Sequence, residues 1–178
     1  MSLPKSFRST TMGALLNLWL HIPTGLRLRA YRVLIRIGLW LYGPTGSQRC
    51  FRLPFNLYAK TGFNVFVSET NTMHYITKHT TIPIPSVIDV IQLPKSALIV
   101  MTRMAGEPLW CRLKTMSAKE RSLLASDLKN SFDQLCSIPA PSTGLHICGV
   151  GGGSFRCFYI CSDDIGPFAT KANFYHFL

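Results

Sequence analysis

The sequence predicts an α+β fold, an antiparallel sheet with one helix inserted after its first strands. Three observations carry this. Short β-rich runs come in pairs around a single helical stretch, without the regular strand–helix alternation of a doubly wound parallel sheet. Of the 178 residues, 47% are hydrophobic and only 15% charged, which excludes a disordered chain. Gly and Pro are scattered without period and no unit of 20 to 50 residues recurs, which excludes collagen-like, coiled-coil and solenoid architectures.

Residues 12–22 and 25–42 read as two helices separated by His21-Ile22-Pro23-Thr24-Gly25. In the second, Arg29, Arg32 and Arg36 recur at i, i+3 and i+7 while Tyr31, Leu34, Ile37 and Leu41 take other faces, the pattern of a basic amphipathic helix. Gly43-Pro-Thr-Gly-Ser47 ends it. Strands are expected at Gln48–Leu53 and Leu57–Thr61, broken at Pro54. Ser68 is placed to cap a helix to about Lys78, which Pro83 and Pro85 close. Val87–Ile91 and Ala97–Met104 read as a hairpin. Ser117-Ala-Lys-Glu120 is a capping-box pattern before a helix with Leu124, Leu128, Phe132 and Leu135 on its apolar side, stopping before Pro139. An extended stretch at Phe155–Cys161 and a helix from about Thr170 finish the chain.

Charge divides the chain unevenly. Residues 1–68 hold nine Lys or Arg and no Asp or Glu; residues 69–178 hold ten basic and eight acidic residues. The acid-free part suggests a basic segment over 1–42 that could meet nucleic acid, an anionic membrane or nucleotide phosphates; a solvated helix face is the plainer alternative. Sparse aromatic interleaving and the lack of a binding motif disfavour nucleic acid. Ser9–Leu26 is free of charge but too polar for a membrane span, and no signal-peptide cleavage site follows it. Six dispersed cysteines fit reduced thiols in a cytoplasmic protein. His146, Cys148, Cys157 and Cys161 have poor zinc spacing, so no metal site is assigned.

Lys60 ends an apolar strand, and nine residues later Glu69 opens a helix with Met73 and Ile76 at i+4 and i+7, so its carboxylate shares the apolar face. A carboxylate on that face needs a partner, and Lys60 is the nearest candidate. A strand lysine paired with a helix glutamate holds nucleotide phosphates in kinase-like folds; a solvated Lys and a helix-start Glu favoured by the helix dipole form the alternative.

Taken in order, Arg52–Lys60, Glu69 with Tyr75–Pro85, and Ala97-Leu-Ile-Val-Met-Thr-Arg-Met-Ala-Gly-Glu-Pro-Leu109 resemble the aminoglycoside phosphotransferase family, in particular its fungal branch. The likeness runs over roughly residues 25–178, through Ser117–Glu120, Ser137-Ile-Pro139, Gly166-Pro-Phe168 and Phe174–Leu178. It implies a protein-kinase-like N-lobe over 43–106, an antiparallel sheet plus one helix of the C type. It implies an incomplete helical C-lobe over 107–178, hence a truncated transferase. Lys60 matches the family's strand lysine and Glu69 its helix glutamate. Met101 matches the gatekeeper at the back of the adenine pocket, the Thr102 carbonyl and Met104 amide the backbone groups facing adenine, and Gly106 the glycine closing the hinge. The phosphate-covering loop would fall at Gly43–Ser47, which lacks a clear Gly-x-Gly. Gly151-Gly-Gly153 falls in a connecting segment. ATP and magnesium are implied as cofactors, with phosphoryl transfer to a small-molecule hydroxyl as the reaction. The family's His-Gly-Asp loop has no counterpart: no His-x-Asp occurs in the sequence, and Asp163 and Asp164 lack the family setting. The chain is therefore expected to bind nucleotide at most and to be a poor phosphotransferase. The helix at 117–137 and the terminal helix are expected to expose Leu128, Phe132, Phe174 or Phe177 and to invite a protein partner.

Overall fold

The structure, a computed structural model, describes residues 10–139, 144, 147–157, 159–161 and 163–178. Among them it is α+β, with six helices and one four-stranded antiparallel sheet. The chain divides into two compact units, Met1–His74 with Ile84–Ala105, and Tyr75–Pro83 with Gly106–Leu178.

The first unit begins with helices α1 (Thr10–His21) and α2 (Thr24–Tyr42). Strands β1 (Cys50–Leu53) and β2 (Leu57–Thr61) follow, then α3 (Val67–His79), which belongs here through His74. The hairpin β3 (Val87–Leu93) and β4 (Ser96–Thr102) completes a sheet of order β1-β2-β4-β3. Both faces of this sheet are covered. Ala59, Ile88, Ile91, Leu98 and Val100 pack with Tyr31, Leu28 and Leu34 of α2 and Leu16 and Trp19 of α1. Val87, Ala97 and Ile99 pack on the opposite side with Val65 and with Val67 and Met73 of α3. A strand covered on both faces reads as an unbroken apolar run, which is why Leu98-Ile-Val100 shows no alternation in sequence.

The N-terminal helices are thus part of the sheet's own core. Arg29, Arg32 and Arg36 face solvent as expected, and Tyr31 and Leu34 turn inward. Ile37 and Leu41 do not: both are exposed. Gly38 sets the approach of α2 to β1, since a Cβ there would sit 1.9 Å from the Arg52 carbonyl oxygen. The second hairpin strand, expected to run to Met104, ends as β4 at Thr102, opposite Leu57 where β2 begins.

The second unit contains α4 (Leu109–Arg112), α5 (Ala118–Cys136) and α6 (Lys171–Phe177). The capping box is present as predicted: Glu120 N–H donates to the Ser117 hydroxyl at 3.3 Å, and Ser117 N–H donates to the Glu120 carboxylate at 2.7 Å. The Ser117 amide first, and then the Ser117 hydroxyl, which donates to the same carboxylate at 2.8 Å, hold the Glu120 carboxyl below its usual range. The extended stretch expected at Phe155–Cys161, of which Phe158 lies outside the described residues, is interrupted by a turn. Among the described residues Phe155 bridges Ile165, and the amides of Ile160 and Cys161 both donate to the Cys157 carbonyl. Leu128, Phe132 and Phe177 are exposed as expected, whereas Phe174 packs edge-on against Phe168. Among the described residues no helix is long and apolar enough to cross a membrane.

Candidate functional site

Directly opposed residues of an antiparallel pair share a face, and successive residues of one strand alternate. Ala59 lies opposite Val100 and Lys60 opposite Ile99. Because Val100 belongs to the α1–α2 side and Ile99 to the α3 side, Lys60 is directed under α3. On that helix Glu69 precedes Met73 by one turn, and Met73 packs into the same apolar cluster as Ile99. The two periodicities bring the groups together, and the Lys60 Nζ donates to the Glu69 carboxylate. The side chains keep 30% and 32% of their exposure, so the pair is neither sealed from water nor fully open to it.

Met101 lies opposite Tyr58 and Val87, on the face Lys60 occupies. Thr102 is tied to the segment before β3: its amide donates to the Ser86 carbonyl at 2.9 Å and its hydroxyl accepts from the Ser86 amide at 2.8 Å. Arg103 N–H donates to the Asn56 carbonyl, after which Met104 leaves the sheet with an exposed side chain. Gly106 takes a φ of 110°, a conformation that favours glycine. Lys60, Glu69 and Met101 are therefore brought to one face, with Thr102 and Met104 at the end of the same strand.

Two glycine-bearing loops also stand out in the sequence. Gly43–Ser47 joins α2 to β1, a helix to a strand, and Thr45 closes it by donating to the Ser47 carbonyl at 2.9 Å. Gly43–Ser47 thus follows a helix and leads into a strand. Gly149–Gly153 is a closed turn, Gly149 N–H donating to the Gly153 carbonyl at 2.7 Å, and it leads to Phe155 and not to a helix. Among the described residues no group of three His, Cys, Asp or Glu comes together to hold a metal ion; His146 lies outside them. Asp164 pairs with Arg156, which holds its carboxyl below the usual range.

A second polar centre escaped the sequence reading. Asp89, 2% exposed, sits in the apolar strand β3. Strict alternation from Val87 would direct it toward α3, but the register shifts between Val87 and Asp89, and Asp89 falls opposite Val100 on the α1–α2 side. A bulge re-aims side chains in this way. There Arg27 donates to one carboxylate oxygen, and the Tyr31 hydroxyl donates to the other at 2.9 Å. Trp19 Nε1–H in turn donates to the Tyr31 oxygen at 2.6 Å. Burial first, and the Asp89 charge second, push the Tyr31 hydroxyl well above its ordinary pKa. The signal available in the sequence was a lone carboxylate inside Val-Ile-Asp-Val-Ile, which requires a partner. Nothing local indicated a partner 62 residues away. A cleft of about 510 Å³ opens beside this centre, lined by Leu20 and Arg27, by Thr70, Asn71 and His74 of α3, and by Asp89; Lys60 and Glu69 are not part of it.

Compared with protein-family models, with curated proteins and with solved structures, the chain matches none.

Proposed function

We propose that the first unit is a nucleotide-binding lobe of the aminoglycoside-phosphotransferase type, with Lys60 meeting the phosphates and Glu69 positioning it. The Lys60–Glu69 ion pair carries the reading. A lysine with a carboxylate partner is fixed in direction, and with a third of its side chain exposed it can share its three N–H donors with phosphate oxygens. The sheet order, with a single helix running between β2 and β3, supports the kinase-like arrangement. So does Met101 on the lysine's own face, with Thr102 and Met104 next along the chain for adenine contacts.

Phosphoryl transfer also needs an oriented acceptor and a metal-neutralised phosphate. The residues assigned here account for holding the nucleotide, and binding without turnover is the property proposed. The described residues gather no donor set matching magnesium.

Titration of the chain with a fluorescent ATP analogue tests this. Saturable binding displaced by unlabelled ATP is expected, weakened tenfold or more by Lys60→Ala, since a hydrogen bond to a charged group contributes about 1.5–3 kcal/mol. Binding that does not saturate, or that ignores Lys60→Ala, would remove the proposal.

A further inference from the structure

The outer face of α2 is exposed, and its composition is unusual. Arg29, Arg32 and Arg36 form one exposed strip, and none makes an ion pair among the described residues. Val33, Ile37 and Trp40, at i, i+4 and i+7, form a second strip beside it, all exposed, Trp40 to 83%. Trp is on average a well-buried residue, and an apolar strip of this kind on an isolated fold costs solvation with no return.

Charge says what the face would meet. The first unit holds eleven Lys or Arg against two acidic residues, Glu69 and Asp89. Both carboxylates are already engaged, by Lys60 and Arg27. The unit therefore presents a strongly positive surface with no free carboxylate to oppose it. A row of cations beside a row of apolar side chains ending in Trp matches the boundary of an anionic bilayer, where headgroups take the arginines and the acyl margin takes the apolar strip. A nucleic-acid duplex would use the arginines but leave Val33 and Ile37 in water.

We propose that the outer face of α2 binds the surface of an anionic lipid bilayer. This is independent of the nucleotide reading, because Lys60 and Glu69 lie on the opposite side of the sheet.

The test is sedimentation of the full chain with vesicles of phosphatidylcholine alone, and with vesicles in which about a quarter of the lipid is phosphatidylserine. Binding to the second and not the first is expected. An arginine near such a surface contributes about 1 kcal/mol, so joint replacement Arg29→Gln, Arg32→Gln and Arg36→Gln should lower partitioning about 100-fold. Brominated lipid should quench fluorescence that is missing in Trp40→Phe, a readout that does not need the triple variant to fold. Several outcomes overturn the proposal: equal or no binding to the two vesicle types, partitioning unchanged by the triple replacement, or quenching unchanged by Trp40→Phe. Binding to duplex DNA with none to anionic vesicles would overturn it in favour of a nucleic-acid face. A dimer that Trp40→Ser dissociates, with no vesicle binding, would assign the face to a second copy of the chain.

Discussion

On the α1–α2 face of the sheet a guanidinium and a carboxylate are taken almost out of water, with side-chain exposures of 12% and 3%. On the α3 face an ammonium and a carboxylate each keep nearly a third of theirs. The first pair is saturated: Asp89 accepts from Arg27 and Tyr31, and Tyr31 accepts from Trp19. Among the described residues the second is a single contact, made by an ammonium that has three donors. Removing one member of a buried pair strands the other, whereas an exposed pair contributes little to stability and can exchange partners. Burial thus separates a pair that locates elements from a pair that can meet a ligand.

The largest effect should come from Asp89→Ala. It leaves Arg27 desolvated and Tyr31 without an acceptor, and a loss of about 3–5 kcal/mol is expected in urea unfolding. A loss below about 1 kcal/mol would mean that water reaches Arg27 freely and that the contrast between the faces is false.

Gly38→Ala should follow. Helix propensity alone favours Ala by about 1 kcal/mol, but the new methyl would meet the Arg52 carbonyl, so a net destabilisation of about 1–3 kcal/mol is expected. A stabilised variant would show that α2 does not rest on β1.

A smaller, pH-dependent effect belongs to Tyr31. Its folded pKa lies above the unfolded value of about 10, so the unfolded chain releases the proton first as pH rises. Its contribution is fully present below about pH 10 and declines as pH rises above it. Denaturant unfolding at about pH 9 and pH 11 should show that decline in the parent chain and less of it in Tyr31→Phe. At neutral pH Tyr31→Phe should cost about 1 kcal/mol for the lost hydrogen bond.

The α3 face was legible in the sequence because its logic is local. Lys60 and Glu69 are nine residues apart, and the period of a strand and of a helix decides which way each points. The capping box at Ser117 was legible for the same reason. The Arg27–Asp89 centre was not, because it depends on a one-residue bulge that reverses the direction of Asp89 and on a helix distant in sequence. At Phe155–Cys161 an aromatic, apolar run suggested extended chain, but among the described residues its one bridge is Phe155 to Ile165, and the amides of Ile160 and Cys161 turn back to Cys157. The short helix α4 was missed although Pro108 marks its start.

The central claim is that the pair under α3 meets nucleotide phosphate while the pair under α2 holds the fold. Thermal melting of the parent chain, Lys60→Ala and Asp89→Ala, each with and without saturating ATP and magnesium, tests it in one experiment. Ligand at about 100 times its dissociation constant stabilises by about 2.7 kcal/mol. The parent should melt higher with nucleotide. Lys60→Ala should melt close to the unliganded parent and lose the shift, and Asp89→Ala should melt far lower yet keep it. A shift that survives Lys60→Ala and vanishes in a still-folded Asp89→Ala would contradict the account.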